Sequence, residues 1–140
     1  MLTSLEREAR RNENYFVDLL RVGLGLTFFW FGGLKFLGYN PVYQIVHATY
    51  PLLATTNGNL ILGMLETLIG VGLLANVYRA TTHVALVLHL SSTFLTFFIA
   101  PSIMFSPHFT ILTLAGEFIF KNVILVTAGL VVFGYYERRD

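Results

Sequence analysis

The stretch NLILGMLETLIGVGLLANV, residues 59–77, decides the fold of this chain. It carries one charged group, Glu66, in nineteen residues, and its apolar side chains point in every direction of a helical projection. A helix that is apolar all round belongs in a protein core or a lipid bilayer. At about 1.5 Å per residue this one is long enough to cross most of a hydrocarbon layer of about 30 Å. A four-residue turn, Tyr78-Arg79-Ala80-Thr81, leads into a second such stretch, residues 82–100, which Pro101 ends.

The same reading extends outward in both directions. Residues 16–37, FVDLLRVGLGLTFFWFGGLKFL, form an apolar run bracketed by Asp18 and Arg21 at one end and Lys35 at the other. Residues 117–136, EFIFKNVILVTAGLVVFGYY, form the fourth. The expected architecture is an all-α polytopic membrane protein, a four-transmembrane-helix bundle occupying residues 16–136, with helices at about 16–37, 59–77, 82–100 and 117–136. Residues 1–15 read as a charged cytoplasmic interfacial segment, with no cleavable signal peptide, and 137–140 as a cytoplasmic tail. Residues 39–56, with two prolines and several aromatics, read as a short interfacial or re-entrant piece rather than a span.

Composition agrees. Hydrophobic residues make up 55% of the 140 and charged residues only 12%, too little polar surface to cover four such helices in water. Cysteine is absent, which excludes disulfides, thiol catalysis and thioether haem attachment. A net charge of +1 gives no reason to expect nucleic acid as a partner.

Arginine and lysine set the expected orientation. Arg7, Arg10, Arg11, Arg21, Arg79, Arg138 and Arg139 fall on one side of a four-helix topology, and only Lys35 and Lys121 on the other. The positive-inside rule then places both termini in the cytoplasm.

Ionisable groups inside a bilayer are costly and are functional candidates by default. Lys35, Glu66, Glu117 and Lys121 all belong to the outer half of the expected bundle, with Asn122 beside them, and are expected to form one buried polar network. Glu66 is placed about 10 Å below the outer end of its helix. Arg21, His89 and Thr93 are secondary candidates, His89 lying deeper, as a separate feature or the lower end of a polar track. Three readings of the network stay open: charge pairs that fix helix order, a cavity for a quinone or another small oxidisable molecule, and a proton or ion path. No metal site is expected; His47 and His108 in the outward loops are too few to make one alone. No cofactor motif is evident, and a quinone is the cofactor the network could take; a lone His89 beside Ser and Thr reads as a hydrogen-bonding group rather than a metal or haem ligand.

The same residues carry a family resemblance. Trp30-Phe31-Gly32-Gly33-Leu34-Lys35-Phe36, followed by Tyr39, resembles the end of helix 1 in the YkgB/RclC-type inner-membrane proteins, which are related in architecture to DoxX-like four-helix membrane proteins. Matching pieces follow in family order: Asn57-Gly58, Leu65-Glu66-Thr67-Leu68-Ile69-Gly70, Leu74-Ala75-Asn76, Leu90-Ser91-Ser92-Thr93-Phe94-Leu95 with Pro101, and Gly116 to Asn122. They cover about residues 20–135. The chain departs from the pattern in its compact loop after helix 1 and in Glu117, where the family often has a basic residue. The resemblance implies a multi-pass protein of the bacterial inner membrane linked to reactive-chlorine or other oxidative stress, or to quinone-linked oxidation. The function expected first is therefore an accessory subunit or stress-protection component of a redox-linked membrane system. It would work with membrane lipids around it and with a membrane protein partner or as a homo-oligomer. The alternatives are a quinone-binding or DoxX-like oxidoreductase component and a small oligomeric transporter or channel.

Overall fold

The computed structural model describes residues 2–139, and they are all-α, with four helices long and apolar enough to cross a membrane. The spans are Glu13–Phe36, Thr56–Ala75, Arg79–Ile99 and Leu114–Glu137. In chain order the elements are α1 (Leu2–Arg11), α2 (Glu13–Phe36), α3 (Tyr43–Thr49), a 3₁₀ turn (Pro51–Leu53), α4 (Thr56–Ala75), α5 (Arg79–Thr93), α6 (Thr96–Ile99), α7 (Pro101–Met104), α8 (Leu114–Phe120) and α9 (Asn122–Glu137).

The first and second spans pack most closely, and glycine makes that possible. A Cβ added at Gly32 would lie 2.3 Å from Thr67 Oγ1 and 2.6 Å from the Gly63 carbonyl oxygen. One added at Gly70 would lie 2.5 Å from the Phe29 backbone nitrogen. Backbones of α2 and α4 thus touch along their length, as small residues allow between helices in lipid, where no hydrophobic effect drives them together.

Around this pair, Leu24, Phe28, Ile69, Leu73, Leu86, Leu90 and Val132 make the buried core shared by all four spans. A smaller cluster, Ile45, Met104 and Ile119, sits under the connecting segments at the other end. Many large apolar side chains, among them Phe29, Trp30, Leu68, Leu88 and Leu130, are exposed on the protein surface, the signature of a lipid-facing bundle.

Both termini and the α4–α5 turn share one end of the molecule. Tyr135 donates its hydroxyl hydrogen to Asn14, Tyr136 donates to Asp18, and the Arg79 guanidinium lies 5.6 Å from the Tyr136 ring centroid. The Arg21 guanidinium donates to the carbonyls of Leu73 (2.5 Å) and Leu74 (2.9 Å) in the last turn of α4, where carbonyls run short of helical N–H partners.

The third and fourth spans are interrupted. Between α5 and α6 the bonds shorten to three-residue steps, Phe94 N to Ser91 O and Leu95 N to Ser92 O. Ser92 and Thr93 bond back to the carbonyls of His89 (2.6 Å) and Leu90 (2.5 Å), a side-chain competition that bends helices. The fourth span changes at Lys121, between α8 and α9. Asn122 Nδ2 donates to Thr93 Oγ1 at 2.9 Å, tying the two interruptions together.

The 39–56 piece does not cross. Its helix α3 and the following turn fold in against the third span, where Thr49 and Thr96 share a buried hydroxyl bond of 2.7 Å and the Tyr50 hydroxyl donates to the Ser92 carbonyl at 2.9 Å. Thr55 starts α4 as its N-cap, accepting from Gly58 N at 3.1 Å.

Candidate functional site

Glu66 holds two partners. Lys35 Nζ donates to its Oε2 at 2.6 Å, and His89 Nε2 lies 3.2 Å from its Oε1. An ionised carboxylate only accepts, so the imidazole presents its Nε2–H to that oxygen. All three side chains are largely buried, Lys35 to the point of 3% exposure. Desolvating a carboxylate and an ammonium costs several kcal/mol per ion unless each finds a close opposite charge. The Lys35–Glu66 contact supplies it, with His89 completing the carboxylate's second oxygen.

Depth along the helices explains how His89 reaches this pair. Glu66 lies ten residues inside α4, and His89 ten residues before the end of the third span at Ile99. Both therefore sit about 15 Å from the connecting-segment end of the bundle. The expected depth of about 10 Å for Glu66 came from starting the second helix at residue 59. The structure starts it at Thr56, which lowers Glu66 to the level of His89. The Phe28 and His89 rings meet in an edge-type contact at a centroid distance of 6.0 Å, and Phe28 belongs both to the cavity wall and to the buried core.

The candidates do not form one network. Lys35, Glu66, His89, Thr93 and Asn122 line one cavity of about 370 Å³. Glu117 and Lys121 instead pair with each other at 3.7 Å on the exposed side of α8, their side chains more than half exposed. Arg21 lies at the opposite end, holding Asp18, Tyr136 and the end of α4. Thr96, on the polar face that the third helix offers with His89 and Thr93, is a cavity residue, and so are Thr49 and Tyr50, which the sequence did not single out. The aromatic, proline-bearing character of residues 39–56 was the available signal, and it pointed to the membrane interface without showing which groups turn inward.

The cavity walls are mainly apolar and aromatic, with Phe28, Phe31 and Phe118 among them. Its size falls in the usual range for small-molecule sites. The hydroxyls on its walls already have partners. Thr27 donates to the Gly23 carbonyl, Ser92 and Thr93 to their own helix and Tyr50 to the Ser92 carbonyl, while Thr49 and Thr96 share one hydrogen bond in which one of the two hydroxyls donates. Lys35 differs. Among the described residues its Nζ has one partner, Glu66, which leaves two of three N–H groups for a ligand oxygen.

No family model matches the chain, and no curated protein or solved structure does. What the site can bind is therefore argued from its own chemistry. It offers a hydrogen-bonding cation at one wall, a carboxylate and an imidazole that hold it in place, and flat aromatic surface elsewhere. That combination suits a mostly apolar, planar molecule with a carbonyl or anionic oxygen at one edge. Among the described residues no group of three or more His, Cys, Asp and Glu side chains is placed to hold a metal ion.

Proposed function

We propose that this membrane protein binds a quinone in the cavity between its spans, one carbonyl oxygen of the ring accepting from Lys35. The observation that carries the reading is the Lys35–Glu66–His89 triad, buried at the wall of a mainly apolar and aromatic cavity. Glu66 and His89 orient the ammonium, and the phenylalanines pack against the ring faces. The quinone reading also suits the redox-linked setting implied by the likeness to YkgB/RclC-type and DoxX-like proteins. In that setting we propose an accessory or stress-protection subunit of the bacterial inner membrane, with both termini cytoplasmic. The gathering of Arg7, Arg10, Arg11, Arg21, Arg79, Arg138 and Arg139 towards the end that holds both termini and the α4–α5 turn supports that orientation.

The apolar packing of Leu24, Ile69, Leu73, Leu86 and Val132 below the triad favours a closed site over a transport path. The test is quinone analysis of the protein purified in mild detergent, followed by titration of quinone into stripped protein. Co-purifying quinone and saturable rebinding, weakened tenfold or more in Lys35→Met, support the reading. Protein that is folded, quinone-free and without saturable binding overturns it.

A further inference from the structure

A second apolar recess runs along the outside of the bundle between the first and fourth spans, lined by residues of α2 and α9. Thr27 and Leu125 belong both to this groove and to the cavity wall. They stand where the internal site meets the lipid-facing surface. From residue 27 the groove follows α2 down to residue 16, about 16 Å at the helical rise. Small side chains keep it open. Gly23 lies in it, and a Cβ added there would meet nothing within 4 Å; Ala128 stands on the α9 wall.

We propose that the groove is the tail subsite of the cavity. The ligand is then a quinone carrying a prenyl chain, its ring at Lys35 and its tail passing between Thr27 and Leu125 to lie along Gly23 and Ala128. This rests on the quinone reading above and adds the ligand's class and its route of entry, sideways from the bilayer. Two features argue for one continuous ligand over two separate occupants. The groove shares its upper rim with the cavity. Its lining, with Leu19, Leu20 and Ile124, offers a flexible hydrocarbon chain dispersion contacts, while the one hydroxyl at the rim, Thr27, is already bonded to the Gly23 carbonyl.

The experiment compares a tailless benzoquinone with a prenylated one, bound to the full chain in lipid nanodiscs. Gly23→Leu puts a side chain into the groove from a position where an added Cβ meets nothing within 4 Å, and Gly33→Leu, where an added Cβ is equally free but which lies outside the groove, is the control. Ala128→Leu narrows the groove from the α9 wall and gives a second reading independent of α2. The expected result is tighter binding of the prenylated quinone to the unaltered protein. Gly23→Leu and Ala128→Leu should then weaken the prenylated compound tenfold or more, while the tailless one and the Gly33→Leu control stay unchanged. Equal affinity for both quinones, or groove variants that leave the prenylated compound unaffected, overturns the tail subsite and leaves the ring site standing. Failure of both quinones to bind the unaltered protein overturns the ring site itself, and the tail subsite with it.

Discussion

Lys35 and Glu66, thirty-one residues apart and on neighbouring spans, meet at 2.6 Å with both side chains at least nine-tenths buried. Their contact makes a strong prediction about single and double replacement. Removing one partner leaves the other charge desolvated, a loss of about 3–5 kcal/mol for buried pairs. Lys35→Met and Glu66→Leu should each lower thermal stability in detergent markedly. The double variant should recover most of the loss, because two apolar side chains fill the space without stranded charge. Quinone binding should not recover with it. Unfolding midpoints and quinone titrations on the same four proteins check this. A double variant as unstable as the worse single one would mean that the pair is not the interaction at stake.

The close approach of α2 and α4 needs a residue without a side chain at Gly32. Gly32→Ala puts a methyl group 2.3 Å from Thr67 Oγ1 and 2.6 Å from a backbone carbonyl. Overpacking of this kind costs about 1–3 kcal/mol, with backbone collisions at the upper end. The adjacent Gly33→Ala meets open space and should be neutral, or gain up to about 1 kcal/mol from helix propensity. Thermal or SDS-driven unfolding of the two variants should separate them clearly. Equal stability would show that the helices can part at no cost there.

Residues 59–77 and the three similar stretches made the four-span architecture readable, because a bilayer demands long apolar segments whose backbone bonds are satisfied inside the protein. The polar site was less readable. Lys35 and Glu66 stood out as charges in apolar sequence, but which charges meet depends on helix starts and helix rotation. A three-residue difference at Thr56 moved Glu66 to the level of His89. Glu117 and Lys121 are legible in sequence as an i,i+4 pair, and they do meet, but on the exposed face of the fourth span and apart from Lys35 and Glu66. The inward fold of Thr49 and Tyr50 was not legible at all. It depends on hydroxyl bonds to Thr96 and to the Ser92 carbonyl, partners more than forty residues away.

Arg21 secures the end of α4. Its guanidinium reaches two carbonyls of that helix, the Tyr136 hydroxyl at 3.2 Å and Asp18 at 3.3 Å. Hydrogen bonds from charged donors contribute about 1.5–3 kcal/mol. Lysine lacks the planar fork that serves several acceptors at once. Arg21→Lys should therefore lose most of what Arg21→Ala loses. Hydrogen exchange should rise first at Asn76 and Val77, whose amides close the end of α4 onto Leu73 and Gly72. Exchange unchanged at those amides in both variants would remove Arg21 from this role.

The orientation of the bundle can be tested because the chain has no cysteine, so an introduced thiol is the only one present. Glu6 in α1 and His108 in the segment joining the third and fourth spans are both exposed, at opposite ends of the molecule. The bias of arginine towards the terminal end is what supports the proposed cytoplasmic placement of that end, and that placement fixes the labelling pattern. In intact bacterial cells whose outer membrane has been made permeable, a charged maleimide should label His108→Cys and spare Glu6→Cys until the inner membrane is broken. The reverse pattern would turn the protein over, putting the connecting segments and the end of the cavity they cover on the cytoplasmic side. Labelling of both thiols in unbroken cells would show the chain inserted in two orientations.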